Sequence, residues 1–519
     1  MGKCNFKNCK KDTYENEERC ILHCVKNDYQ KDKHKVGFLT AFFEELIEYA
    51  VNSVSQYYSE KRFPSKMQIR DYLKGTFADQ TNMPSLSNIL KLHSVTFQDI
   101  FFPERDGRDF FDYKKVLEKI GGVHFDGCKF FASGLDIKNT KLFFQNCTFE
   151  KKWNLYDHKI LDNAINVLYQ TCNFKEDVCT IDADYENPLL ENSIFSDCIF
   201  SKSIILENIK IKSRLFRNRN QNKLTIQNIY INNCQIEDKC ILNNYKINEF
   251  KCKNTELNEK LEFKQNTVEN FEIDDCNFYK LVDCHGTSFR KFLIKKSIFN
   301  DFVGFENCVF GIPEISKNED YLAKFTYATF ISFINFRNAK FLNGLDLVHI
   351  NLKEPPNFLK VEINPENTPR ETYRIIKYSF DKVGNYIEAN KFFEYEMKKY
   401  KEELKIKKNR TRKLLLGIYE LTSNYGQSYI RPIGLTLITA IIYWLLVQGH
   451  ENNILYSFFP SSNPIIEDVS LVFNNIAKSI LPFKRVLMEG MEFVSLLFYI
   501  FFASFIWLTI LAIKRQTKR

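Results

Sequence analysis

The sequence predicts a mainly-β protein built around a narrow solenoid, and three observations predict it. Between about Val95 and Leu347 a large apolar residue recurs every fifth position. Phe125 is followed by Phe130 and Leu135, Phe144 by Phe149, Phe195 by Phe200 and Ile205, and Ile226 by Ile231, Ile236 and Ile241. Phe263, Val268, Ile273 and Phe278 continue the series. The pairs Ile294/Phe299, Phe305/Phe310, Phe325/Phe330 and Phe336/Phe341 complete it. A period of five fits neither a helix nor a strand, but it fits a chain that turns a corner at each fifth residue. Second, a small residue stands two positions before many of these anchors, as at Cys128, Cys147, Cys172, Cys198, Cys234, Cys276, Cys308, Ala328 and Ala339. A large side chain filling the axis and a small one letting the next face pass close by is what a narrow rod needs. Third, 519 residues with 49 Phe exceed one compact domain, and short stacked repeats extend without limit in one dimension.

The motifs Cys128-Lys129-Phe130, Cys276-Asn277-Phe278, Cys308-Val309-Phe310 and Ala339-Lys340-Phe341 resemble the A-[D/N]-[L/F]-x-x unit of pentapeptide-repeat proteins, with Cys or Ser often replacing Ala. The resemblance implies a right-handed quadrilateral β-helix with four pentads per coil. The phase slips near 136–143, 150–168, 176–192, 210–224, 242–260 and 311–322, which are expected to be loops. Some members of that family are acidic rods that mimic duplex DNA. Here basic and acidic residues nearly balance within the repeat, so no nucleic acid is expected.

The formal net charge of +9 is local to the rest of the chain. Abundant Lys, Asn and Ile suggest an AT-rich, bacterial coding sequence. Lys3, Lys7, Lys10 and Lys11 are not followed by an apolar core, so the N-terminus is expected to stay in the cytoplasm. Most of the 15 cysteines fall at the small repeat position and are expected to be reduced, buried apolar residues.

In chain order, residues 1–28 form the first module. The spacing Cys4-x4-Cys9-x10-Cys20-x2-His23 offers four N/S ligands in two close pairs, which suits a closed tetrahedral zinc site whose metal supplies the folding energy. Cys24 competes for the place of His23. The stretch resembles small cysteine–histidine zinc modules of some pentapeptide-repeat proteins. Residues 36–94 read as a helical cap for the open end of the solenoid. Leu39, Phe42, Phe43, Leu46 and Ala50 line one helix face there, and further helix is expected near Lys66–Leu73. The β-helix then runs over 95–347, with a short helix interrupting it at Phe110–Ile120 and Pro355-Pro356 ending it. His124, His158 and His285 stand alone and carry no catalytic pattern.

Residues 366–428 read as a helical stalk, a hairpin broken at Gly384-Asn385. It ends in a basic run of Lys398, Lys399, Lys401, Lys405, Lys407, Lys408, Arg410, Arg412 and Lys413, opposed only by Glu402 and Glu403 and placed to meet anionic lipid headgroups. Residues 429–515 read as a transmembrane hairpin with spans at about 430–447 and 493–513. Arg and Lys flank both spans away from the loop 449–492. The positive-inside rule therefore puts the N-terminal domains and C-terminal tail in the cytoplasm, at an inner membrane. The segment Ile465–Phe483 in the loop is too short and polar to span. Two spans around such a segment resemble the two-helix pore domains attached to some pentapeptide repeats, but no T-V-G-Y-G-like run follows the first span. No paired carboxylates, nucleophile–base pair or phosphate loop marks an enzyme. The expected function is a membrane-tethered, non-enzymatic scaffold for a protein partner, oligomerised through its hairpin. The alternative is a pore gated by the repeat domain, in stress or phage defence.

Overall fold

The computed structural model describes residues 2–7, 9–26, 37–56, 64–75, 83–104, 112–137, 140–155, 159–160, 167–180, 189–190, 193–217, 223–313, 318–406, 410–452, 469–476 and 487–517. His158, Lys407, Lys408 and most of the loop 449–492 lie outside these residues. The chain divides into two compact units, Met1–Asn367 and Thr368–Arg519.

The first unit is mainly β, a parallel solenoid of about 10 turns. Its geometry is clearest where the coils are most regular. Ile247 faces Val268 and Val268 faces Phe289, so successive coils return after equal lengths of chain. One inward anchor marks each side of such a coil, Ile247, Cys252, Leu257 and Phe263, and the residues two before each following anchor, Phe250, Thr255, Leu261 and Asn266, are buried as well. Three sides are therefore five residues long and the fourth is six. This corrects the expectation of a loop at 242–260. The chain there runs through continuous strands at Cys240–Ile241, Tyr245–Lys253 and Glu256–Leu257, and the phase slips only because one side carries an extra residue.

In the regular coils two corners use left-handed backbone. Asn233, Asn254, Asp275 and Lys296 form one series, one per coil, and Asn244, Gln265, Gly286 and Asn307 form another, all with positive φ. Asn and Asp tolerate this region best after Gly, because a short polar side chain can bond locally. The corner residue immediately precedes the small one, so the pattern the structure obeys is a left-handed polar residue, then a small residue, then the inward anchor two further on. Corner side chains also bond along the rod, as Asn233 Nδ2 does to Asn208 Oδ1 at 2.7 Å and Asn338 Nδ2 to Asn307 Oδ1 at 3.1 Å.

Inside, the anchors stack as columns. Phe102, Phe130, Phe149, Phe174 and Phe200 lie face to face with successive centroid separations of 5.0, 5.0, 4.5 and 5.1 Å. Phe278, Phe299 and Phe330 form another column at 4.6 and 4.7 Å, within 4° of parallel. The expected loop at 311–322 is present as an insertion. Phe310 pairs with Phe341 across a longer coil, and the insertion carries a 3-10 turn at Glu319–Tyr321 before the ladder resumes with Ile294 against Phe325. The solenoid also continues past Pro355-Pro356, where the sequence pattern ends it. Phe341 pairs with Ile363, and Phe358 stacks on Phe336 at 5.2 Å.

Helices close the first coil. In α1 (Phe38–Gln56), Phe42 packs edge-on to Phe102 at 5.9 Å and Tyr49 lies over Phe97 at 5.4 Å. Helix α2 (Lys66–Lys74) starts in a capping box between Ser65 and Gln68. Helix α3 (Met83–Lys91) has no counterpart in the sequence reading. Helix α4 (Lys114–Leu117) lies in the expected interruption.

The second unit is helical. In α5 (Arg370–Lys382) and α6 (Tyr386–Ile406), Phe380 stacks on Phe392 at 5.6 Å and Tyr373 on Tyr395 at 5.4 Å. The turn between them needs Gly384 at φ +76°. Helix α7 (Arg410–Ser423) is followed by α8 (Ile430–Glu451) and α9 (Glu492–Thr517). Tyr443 of α8 donates to Ser495 of α9 at 3.0 Å, while the far end of α9 is held at the start of α8. There Arg515 donates to the Tyr425 carbonyl at 2.6 Å and Gln516 to that of Gln427 at 2.6 Å. Helices α8 and α9 therefore form an antiparallel pair.

Two substitutions separate the contributions of column and corner. Phe299→Ala empties a slot between two stacked rings and is expected to cost roughly 3–5 kcal/mol in denaturant unfolding. Lys296→Gly relieves a left-handed lysine and is expected to raise stability by about 1 kcal/mol. Equal and small effects from both would show that the columns do not dominate.

Candidate metal centre

Local chain geometry brings four ligands together at the N-terminus. A short antiparallel bridge joins Lys3 to Asp12, and Cys4 N–H donates to the Lys11 carbonyl at 3.0 Å. A tight turn lets Cys9 N–H donate to the Phe6 carbonyl at 3.1 Å. One helical turn then places His23 next to Cys20, with His23 N–H and Cys24 N–H both donating to the Cys20 carbonyl at 2.9 Å. The two pairs converge so that one ligand atom from each of Cys4, Cys9, Cys20 and His23 lies within 4.8 Å of all the others.

Three of the six separations are close to the edges of a closed tetrahedral site. Cys9 Sγ is 3.8 Å from Cys20 Sγ, Cys20 Sγ is 3.2 Å from His23 Nδ1, and Cys4 Sγ is 3.7 Å from the same nitrogen. With metal–sulfur bonds of about 2.3 Å, the sulfur–sulfur edge of a tetrahedron is about 3.8 Å, and the sulfur–nitrogen edge is slightly shorter. The four residues would hold a tetrahedral metal through three sulfurs and Nδ1 of the imidazole. Phe6 stacks on the His23 ring at 4.4 Å and fixes its plane.

Electrostatics support the same set. Burial, and then the cations Lys26, Lys11 and Arg19, push His23 down to about 4. The ring is therefore neutral at pH 7, the form that binds metal. Burial opposes ionisation of Cys4, but the backbone N–H groups of Cys20 and Phe6 outweigh it and hold the thiol below its ordinary value. Burial, reinforced by Cys9, pushes Cys20 up to about 12, a cost that a bound cation would remove. Three thiolates around a divalent ion leave one net negative charge. The buried Lys26 ammonium lies beside the site. It donates to the Cys24 carbonyl at 2.8 Å and rests over the Phe38, Phe42 and Phe101 rings at 5.7, 5.4 and 5.9 Å.

Lys26 also settles the competition that the sequence leaves open. The Cys24 sulfur faces Lys26 Nζ at 3.6 Å and the Ile21 carbonyl at 3.6 Å, while His23 joins the cluster. Neither Lys26 nor Phe6 carries a sequence signal for this role, since both act through tertiary contacts. The centre joins the solenoid directly, because Phe101 N–H of the first coil donates to the Leu22 carbonyl at 2.9 Å.

The predicted lipid-contacting run is not one surface. Lys398 pairs with Glu394 at 2.6 Å, Lys399 with Glu402 at 3.1 Å, and Lys401 with Glu420 of α7. The run is therefore opposed by more than the Glu402 and Glu403 visible beside it in sequence. Lys405 closes α6, and Arg410, Arg412 and Lys413 open α7 with exposed side chains. Lys407 and Lys408 lie outside the described residues. His124 stacks on Phe143 at 4.8 Å, and His285 Nδ1 lies 4.0 Å from Glu306.

Comparison of the chain with protein-family models, with curated proteins and with solved structures finds no match. Fold and site thus define it by class alone, as a parallel β-solenoid with a cysteine–histidine cluster and two helices long and apolar enough to cross a membrane.

The purified full chain is expected to carry one tightly held metal ion, read by elemental analysis. Cys20→Ser should lose it, and His23→Cys should keep it; retention in Cys20→Ser would exclude this site. Because His23 is held neutral in the folded chain, it contributes stability above its ordinary value of about 6.5. That contribution is lost as pH falls from there toward about 4. In metal-free protein, amide-exchange protection of residues 20–24 should fall across that window and become insensitive to pH in His23→Gln.

Proposed function

We propose that this protein is a membrane-tethered, non-enzymatic scaffold of the pentapeptide-repeat kind, with a structural zinc ion in its N-terminal module. The single observation that carries the membrane part is the exposure of α8 and α9. In the most apolar windows of these helices only 6% and 11% of residues are buried. A core helix of a water-soluble protein buries such a surface, and leaving it in water costs about 25 cal/mol per Å². A bilayer supplies what the chain does not.

The antiparallel pairing of α8 with α9 puts Arg431, Lys514 and Arg515 at one end of the hairpin. By the positive-inside rule that end is cytoplasmic, at an inner membrane, together with the solenoid. The basic residues opening α7 then sit at the anionic leaflet. The sides of the solenoid offer long, flat rows of paired charges, such as Lys295 between Glu272 and Asp274 at 3.1 Å each. Surfaces of mixed sign suit a protein partner better than a nucleic acid. The tryptophan and aliphatic side chains that α8 and α9 leave exposed, Trp444, Leu437 and Trp507 among them, suit self-association of hairpins. Zinc is the metal that three thiolates and one imidazole select most readily.

Membrane flotation tests this reading. The full chain should float with vesicles and resist carbonate extraction, and a chain lacking Leu414–Arg519 should stay soluble. A full chain that pellets without lipid would remove the tether. In planar bilayers the inserted protein is expected to be silent, and discrete openings would replace the scaffold by a pore.

A further inference from the structure

Helix α7 has one face with no partner among the described residues. Leu414, Leu415, Ile418 and Leu421 are 66%, 61%, 50% and 71% exposed. At 100° per residue they fall within one arc of about 120°. The opposite side is committed. Glu420 pairs with Lys401 of α6, Ser423 is buried, and Tyr419 packs edge-on to Tyr425 at 5.8 Å.

The end of α7 is pinned to the hairpin. Arg431, in the first turn of α8, donates to the Glu420 carbonyl at 3.0 Å, and Arg515, near the end of α9, donates to the Tyr425 carbonyl at 2.6 Å. Between α7 and α8 the chain turns a hard corner, with Asn424, Tyr425 and Gly426 all at positive φ (49°, 59° and 78°). Helix α7 therefore does not simply prolong α8 away from the membrane. Its last turn is held where two cation-flanked spans meet water. Its first turn carries Arg410, Arg412 and Lys413, all exposed.

We infer that α7 is an interfacial helix, lying along the anionic headgroup layer for about 21 Å. Leu414, Leu415, Ile418 and Leu421 enter the upper acyl region, and Arg410, Arg412 and Lys413 meet lipid phosphates. The occupant of this face is the membrane and not a second protein. The cations are complementary to lipid phosphate, and the end of α7 is pinned to the start of α8, where Ile430 and Ile433 are exposed too. Four large aliphatics in a row exceed the scattered exposure usual on a soluble surface. The inference rests on the membrane reading of α8 and α9. It goes further in laying the apolar face of α7 into the bilayer, beyond the contact of its first-turn cations with the leaflet.

Tryptophan quenching in reconstituted vesicles tests it on the full chain. Trp444 and Trp507 are 60% and 66% exposed and report on the spans, while Trp153 is buried in the solenoid and serves as a constant background. In wild-type protein, brominated phosphatidylcholine should quench Trp444 and Trp507. In a Trp444→Phe, Trp507→Phe chain, adding Leu415→Trp should restore emission that lipid brominated high on the acyl chain quenches by about half or more. Quenching should be stronger with phosphatidylglycerol present and weaker again in Arg410→Gln, Arg412→Gln, Lys413→Gln. Quenched spans with an unquenched residue 415 would overturn the interfacial helix and leave the hairpin standing. Crosslinking of residue 415 to a second chain, without quenching, would make the face a protein contact. Unquenched spans would remove the membrane reading and this inference with it.

Discussion

Each coil of the solenoid must return in register to the coil beneath it, because that return lets parallel backbone bonds form and aromatic rings stack. Phe299 sits between Phe278 and Phe330 at 4.6 and 4.7 Å only because the ladder brings their strands side by side. Side chains and backbone therefore enforce one constraint from inside and outside. The ladder alone tolerates slippage, since any residue can donate an amide. The ring column does not, because moving one position replaces a ring with an outward-facing polar residue. The six-residue side and the insertion at 311–322 are both tolerated for the same reason: neither disturbs the ring that must land on its neighbour.

That constraint explains what was legible in the sequence. The five-residue period is the projection of the inward column and was plain from Phe and Ile alone. The extra residue in each regular coil was not, because a one-residue slip and a looped-out segment produce the same break in phase. The chain at 242–260 looked like a loop and is a continuous side. The end of the solenoid was misplaced for a related reason. Pro355 and Pro356 lack amide donors, which rules out an inner strand but not a corner on a terminal coil, and Phe358 resumes the column beyond them. Helix α1 was visible in its Phe and Leu spacing. Helix α3 is too short for a periodic stripe to emerge.

The cysteine–histidine cluster was legible to the level of its residue types and spacing, and no further. Cys24 and His23 are adjacent, so spacing could not separate them. What separates them is Lys26, which the fold buries against Phe38, Phe42 and Phe101 and which turns the Cys24 sulfur away. The basic run shows the same limit. Glu420 lies on the helix after the one that carries Lys401, beyond the reach of any local charge count, yet the fold makes them partners.

The two ends of the solenoid pose one physical problem, an exposed edge of unpaired backbone ready to accept another strand, and the chain solves it differently at each. At the last coil, Pro355 and Pro356 offer no amide hydrogens, so the edge is a poor template for another chain. At the first coil the edge is covered, by α1 over Phe97 and Phe102 and by the cysteine–histidine module at Phe101. The module contributes a backbone bond from Phe101 to Leu22 and the Phe6 ring, edge-on to Phe101 at 5.7 Å. So short a segment cannot bury enough apolar surface to hold itself in that position. A metal ion can supply the difference, because its binding energy becomes folding energy. The cluster of Cys4, Cys9, Cys20 and His23 would then serve the solenoid as much as the module, by fixing a piece of chain that joins α1 in closing the solenoid where its aromatic column begins.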